Sequence, residues 1–221
     1  MIKSIKNVIV IGATGLVGLE LIKQLNNLPN CEKITAVVRH ESLKLKQMNK
    51  VQQFILDDFL LLNDQDVAGY SHAFSCLGTT LKKAGSKDNF YNIDFEMNAH
   101  FADLFKLTET HFLLVSAMGA NIDSHFFYNK VKGELEHYIL QLELAQTSIL
   151  RPSLLLGDRE ETRFLEGCTQ TVYRKLTRFM PKTFKYKPVT AQQVAHTMVE
   201  VAQSQVKKFE IYDNLQIQKM K

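Results

Sequence analysis

The sequence predicts an α/β fold, a doubly wound and mostly parallel sheet with helices on both faces, from three observations. Short apolar runs recur along the chain, beginning with Val8-Ile9-Val10-Ile11, and four β-branched residues in a row read as a strand buried on both faces. Between the runs, apolar residues repeat at helical spacing, as at Leu16, Leu19, Ile22 and Leu25. A glycine turn, Gly12-Ala13-Thr14-Gly15-Leu16-Val17-Gly18, joins the first run to the first helical pattern.

Taken in order, strands are expected at Val8 to Ile11, Lys33 to Arg39, Gln52 to Asp58, Tyr70 to Leu77, His111 to Ala117 and Thr147 to Pro152, each followed by polar turn chemistry or a helical pattern. A helix capped by Thr190 runs on through Met198, and Phe209 to Tyr212 adds a short last strand. The crossovers should be right-handed, which places a ligand in the crevice beyond the carboxyl ends of the strands. The 221 residues hold no linker, repeat or low-complexity tract, so one domain spanning 1–221 is expected.

The glycine turn carries the strongest functional signal. Glycines let the backbone turn tightly, approach a phosphate and pack helix against strand, while the helix N-terminus offers free N–H groups and partial positive charge. With 10 glycines in 221 residues, the Gly-x-x-Gly-x-x-Gly spacing arises by chance roughly 0.02 times per chain, and the strand-turn-helix context makes coincidence rarer. A dinucleotide pyrophosphate is the ligand expected there. The spacing resembles that of extended and atypical short-chain dehydrogenases/reductases, a Rossmann-type nucleotide fold.

Composition narrows the setting. No apolar stretch approaches the roughly 20 residues of a membrane-spanning helix, and the first strand begins so early that no signal peptide fits before it. Cys31, Cys76 and Cys168 are odd in number and too far apart for zinc spacing, so no metal site is expected and a reducing compartment is. Together these point to the cytosol. The net charge of +4 is uneven, with Arg174, Lys175, Arg178, Lys182, Lys185 and Lys187 clustered, but no aromatic interleaving or motif marks a nucleic-acid interface. Nothing marks a protein partner or a membrane surface.

Nucleotide contacts are sought at the strand ends. After the second strand, where an acidic residue would hold the ribose 2′-hydroxyl of NAD, stand Arg39 and His40; a guanidinium there suits a 2′-phosphate, so NADP(H) is preferred while NAD(H) stays possible. Either Asp57 or Asp58 can accept from the adenine amino group, the other belonging to a solvated turn. Cys76, Leu77, Gly78 and Thr79 end the fourth strand with small residues that let the backbone pass the cofactor, and Cys76 reads as a small buried thiol. The stretch from Lys82 to Lys87 lacks periodicity and is either a lid or a plain loop.

Reaction chemistry rests on Ser116, Tyr128 and Lys132. Tyr-x-x-x-Lys alone is weak, since 7 tyrosines and 21 lysines give about 0.7 accidental matches. Placement strengthens it: the pair spans one helical turn, and Ser116 ends the fifth strand 12 residues earlier, so the three can converge. Lys132 as a fixed cation would lower the phenol toward the working pH, Tyr128 would act as general acid to a carbonyl oxygen, and Ser116 would hydrogen-bond that oxygen. Each also has a plain structural role open to it, in packing, solvation or a local backbone contact.

Four stretches taken together extend the resemblance: Cys76-Leu77-Gly78-Thr79-Thr80 with Lys83-Ala84-Gly85, Val115-Ser116-Ala117 with Gly119-Ala120, Phe127-Tyr128 with Val131-Lys132-Gly133-Glu134, and Arg151 to Arg159. From Gly12 to about Arg163 the chain resembles the Tat-interactive protein 2 family of atypical short-chain dehydrogenases/reductases, which bind NADP(H). The resemblance implies Ser116, Tyr128 and Lys132 as the catalytic set, Gly12, Gly15 and Gly18 as the phosphate turn, Arg39 as the 2′-phosphate ligand, and Pro152 and Leu154 beside the nicotinamide. Related enzymes place substrate-facing structure at 154–187, where Phe164, Leu165, Tyr173, Leu176, Phe179 and Met180 form either an apolar wall or a packing face, with Arg159 or Arg163 for a polar group. Two readings follow: an oxidoreductase acting on a small carbonyl or alcohol, or a nucleotide-binding redox sensor without turnover. A hydrolase or transferase lacks a placed nucleophile-base pair, and a sugar-nucleotide epimerase needs a larger C-terminal part.

Overall fold

A computed structural model describes residues 4–156 and 184–220. The strands are β1 (Asn7–Ile11), β2 (Lys33–Val38), β3 (Val51–Ile55), β4 (His72–Ser75), β5 (His111–Val115), β6 (Gln146–Arg151), β7 (Leu155–Leu156), β8 (Val189–Thr190) and β9 (Phe209–Asp213). The helices are α1 (Leu16–Asn27), α2 (Leu43–Lys46), α3 (Leu81–Ala84), α4 (Lys87–Tyr91), α5 (Met97–Asp103), α6 (Phe127–Gln141), α7 (Ala191–Ser204) and α8 (Asn214–Lys219). Seven strands form one sheet in the order β3-β2-β1-β4-β5-β6-β9, with every pairing parallel, and β7 pairs with β8 separately.

The four-residue apolar run of β1 is explained by its central position. Val8 and Val10 point into the core shared with α1, α7 and α8, where Leu21, Ile22 and Leu25 meet Val194, Met198 and Val201. Ile9 and Ile11 point to the other face, where Phe101, Phe105 and Phe112 pack with Leu135 and Ile139 of α6. A strand covered on both sides has no polar face, which is why it reads as a continuous run. The order of the sheet reverses between β1 and β4, opening the crevice where a nucleotide lies in such folds.

Two expectations need correction, and a third lies outside the described residues. β3 stops at Ile55, short of Asp58, because the chain leaves the sheet edge and Asp58 caps a 3-10 turn at Phe59–Leu61 by accepting from the Leu60 N–H at 2.9 Å. The aperiodic stretch from Lys82 to Lys87 is not a plain loop: it lies across two short helices. Thr80 caps α3, Gly85 ends it at φ +77°, and Ser86 caps α4, so local hydrogen bonds set the turns without an apolar stripe. The substrate-side segment lies mostly outside the described residues, with Arg159, Arg163, Phe164, Leu165, Tyr173, Leu176, Phe179 and Met180, Cys168, and the basic residues Arg174, Lys175, Arg178 and Lys182.

Candidate active site

Gly12 follows β1 with φ +70°, and a Cβ there would fall 2.5 Å from the Leu77 nitrogen and closer still to the Cys76 carbonyl. The turn thus lies directly on the backbone leaving β4, and Gly18 packs the first turn of α1 onto Gly12 in the same way. Gly15 N–H closes the turn on the Gly12 carbonyl at 2.9 Å. Ala13 is buried, Thr14 exposed, and Leu16 and Val17 open α1. No side chain caps α1 and its first turn holds no acidic residue, so its N–H groups and partial positive charge are left to an external anion. The donor set fits a pyrophosphate.

Around this turn the structure sorts the other nucleotide candidates. Arg39 is exposed immediately after Val38, with no hydrogen-bond or ion-pair partner among the described residues. Asp58 is committed to its cap, whereas Asp57 is exposed. The half-buried Cys76 lies 3.9 Å from the Met198 sulfur, and burial pushes its thiol up to about 12, so it packs rather than reacts. Leu77 and Gly78 continue past the glycine turn, and the Thr79 N–H donates to Asp94 Oδ2 at 2.7 Å.

α6 carries Tyr128, Lys132 and Glu136 at four-residue spacing on one face. Tyr128 sits in its first turn with its ring 5.7 Å from that of Phe90. One turn later Lys132 is only 3% exposed, with Nζ 2.7 Å from Asp94 Oδ1. Burial alone would pull the ammonium down, but Asp94 first, then Tyr128 and Glu136, outweigh it, and its pKa ends above the ordinary lysine value. Another turn on, the Glu136 carboxylate accepts the Ser116 hydroxyl and the single Arg151 Nε–H, shared between its two oxygens at 3.1 and 3.0 Å, and a further hydrogen bond from Arg151 Nη2. An ionised carboxylate only accepts, so the Ser116 proton is committed to Glu136. Pro152 and Leu154 follow β6; the Pro152 carbonyl accepts from Met118 N–H at 2.8 Å, tying the loops after β5 and β6 together, and the Leu154 carbonyl accepts from Val189 N–H at 3.1 Å.

Sequence reasoning missed Asp94, Glu136 and Arg151. Glu136 had a signal, since Tyr128, Lys132 and Glu136 recur every four residues on one helix face. Asp94 had a fainter one, an acid flanked directly by the apolar Ile93 and Phe95.

A family model described as semialdehyde dehydrogenase, NAD binding domain, matches residues 7–94, the N-terminal part of the chain that holds the glycine turn. Among curated proteins, FMP52-1 of Scheffersomyces stipitis, named as mitochondrial, is 36% identical over 201 residues, covering 90% of this chain and 89% of its own. HTATIP2 of Rattus norvegicus is 36% identical over 162 residues, covering 72% and 66%. The chain belongs to the Tat-interactive protein 2 family, together with the FMP52 proteins. The fold agrees: a solved short-chain dehydrogenase/reductase of Saccharomyces cerevisiae superposes with a TM-score of 0.67 over 94% of this chain and 96% of its own, at 14% identity. The protein therefore has a Rossmann fold of the kind found in short-chain dehydrogenases/reductases, and its residues 7–94 match a family model described as an NAD binding domain.

The family membership overturns the cytosolic expectation, because the FMP52 relatives from several yeasts are named as mitochondrial. That expectation rested on the lack of a long apolar stretch, on the early first strand that leaves no room for a signal peptide, and on the cysteine count, none of which by itself names a compartment. Among the described residues no helix is long and apolar enough to cross a membrane.

Proposed function

We propose that the protein is an NADP(H)-dependent oxidoreductase that reduces the carbonyl, or oxidises the alcohol, of a small molecule. The observation that carries this reading is the pairing on α6 of Tyr128 with a buried, charged Lys132, whose Nζ lies 3.6 Å from where a Cβ on Gly78 would stand. A cation is thereby held against the backbone that leaves β4 and passes the phosphate turn.

In this reading the glycine turn and the uncapped N-terminus of α1 hold the pyrophosphate, Arg39 pairs with the 2′-phosphate, and Asp57 accepts from the adenine amino group. Pro152 and Leu154 border the nicotinamide, and residues 154–187 supply the substrate side of one domain. The bound cofactor supplies or takes the hydride. Tyr128 gives a proton to the reacting oxygen, and Lys132 stabilises the phenolate left behind. Ser116, its proton on Glu136, has only lone pairs to offer, so it accepts from the O–H of the alcohol form; the charge on the oxygen falls to Tyr128 and Lys132.

Fluorescence titration with NADPH and NADH, followed by a panel of aldehydes, ketones and quinones, tests this. Tighter NADPH binding with substrate-dependent oxidation supports the reading. Binding without turnover across the panel would favour a cofactor sensor, and no binding would overturn the proposal.

A further inference from the structure

The geometry points to Asp94 as a positioning residue that clamps Lys132 beneath the backbone after β4 and keeps Tyr128 in its protonated, proton-donating form. The inference rests on Tyr128 as the proton donor, as proposed above.

Asp94 lies at the centre of one turn of π-helix, Asn92–Glu96, between α4 and α5. The residue is 0% exposed, and both carboxylate oxygens are used, Oδ1 by Lys132 and Oδ2 by the Thr79 N–H, each at 2.7 Å. The wide turn is braced by Asn98, whose side-chain N–H groups donate to the Ile93 carbonyl at 2.9 Å and the Asp94 carbonyl at 3.3 Å. The Asn98 side-chain oxygen accepts the hydroxyl of Ser75, the last residue of β4. Gly78 roofs the pair: a Cβ there would stand 3.2 Å from Asp94 Oδ1. One carboxylate thus fixes the ammonium, the end of β4 and the segment proposed to meet the cofactor.

Burying two charges costs several kcal/mol per ion, and a pair of apolar side chains would fill the space more cheaply. Packing therefore does not account for it, but electrostatics does. The charged and titratable groups around Lys132 are Asp94 from the π-turn, Tyr128 and Glu136 from α6 itself, and Arg151 from β6, which neutralises Glu136. Among the described residues Asp94 is the anion paired directly with Lys132 and acts on it more strongly than Glu136, and each neighbouring anion makes proton loss from the Tyr128–Lys132 pair harder. Lys132 promotes phenol ionisation and Asp94 restrains it. The balance favours an acid at the start of a reduction.

The test is tyrosinate absorbance followed through a pH titration without nucleotide, taking each protein minus its Tyr128→Phe counterpart to isolate one of the seven tyrosines. Asp94→Asn should ionise Tyr128 about 1 pH unit lower than the wild type. A folded Asp94→Asn variant, checked by circular dichroism, with an unchanged midpoint would overturn the inference, since a purely structural role moves stability and not this midpoint. If Asp94→Asn fails to fold, Lys132→Met is compared with Lys132→Met/Asp94→Asn, which leaves no unpaired buried ion. Tyr128 must then ionise at lower pH in the double variant, and equal midpoints would overturn the inference. Because no nucleotide is needed, a wild type that binds no NADPH would refute the proposed function while leaving this result intact.

Discussion

Tyr128→Phe removes one oxygen and leaves the ring against Phe90 in place. It should bind NADPH like the wild type while turnover falls about 10²–10⁴-fold, measured as NADPH oxidation with the best substrate of the panel. Arg39→Ser tests the nucleotide preference at a position where no described partner would be disturbed. Charge-assisted hydrogen bonds to a phosphate contribute about 1.5–3 kcal/mol, so the advantage of NADPH over NADH should shrink about tenfold or more, and unchanged relative affinities would refute the assignment. Legibility at this scale depended on whether a residue acts through near neighbours in the chain. The Tyr128 and Lys132 spacing was visible because a helix turn is local. The partnership of Lys132 with Asp94 was not, because the two are 38 residues apart and meet only once the π-turn is packed against the end of β4.

At the scale of elements, the central strands were readable because β1, β2 and β4 are covered on both faces and carry few polar residues. β3 was read too long because an edge strand ends where its last neighbour bond ends, at Leu56 N–H on the Val38 carbonyl, and apolar pattern does not record that. The helices between β4 and β5 were hidden for the opposite reason, since caps and a π-turn rather than periodicity define them. Where a cap was legible it can be tested. Thr190 forms a capping box with Gln193 at the start of α7, accepting its N–H at 3.1 Å. Thr190→Ala should cost about 1 kcal/mol, read as a lower midpoint in urea with an unchanged slope. A loss under a few tenths would mean that burial of Val194, Met198 and Val201 alone fixes the helix.

For the whole molecule, three buried groups make stability depend on alkaline pH. Burial lifts the Cys31 thiol from 9.0 to about 11 and the Cys76 thiol to about 12, and Tyr212 is raised by burial and by its hydrogen bond to Glu210. Each is held neutral in the folded state, so above about pH 9 the unfolded chain loses protons that the folded chain retains. Their contribution is fully present below that pH and is lost as pH rises through the folded values. Urea midpoints should therefore fall between about pH 8 and pH 10.5, and a Cys31→Ala/Cys76→Ala variant should show a shallower fall. An identical slope would trace the alkaline sensitivity to other groups. The strand β9 joins the sheet beside β6, and Asn214, which follows it, ties together segments far apart in the chain. Its side chain accepts the Ser153 N–H at 2.8 Å and donates to the Lys185 and Lys187 carbonyls at 2.7 and 2.8 Å, fastening both flanks of residues 157–183 from 61 positions beyond Ser153. A chain growing on the ribosome has made the glycine turn, Tyr128 and Lys132 long before it makes Asn214. The two flanks of residues 157–183 are consequently fastened together only after the chain has passed well beyond them, when Asn214 emerges.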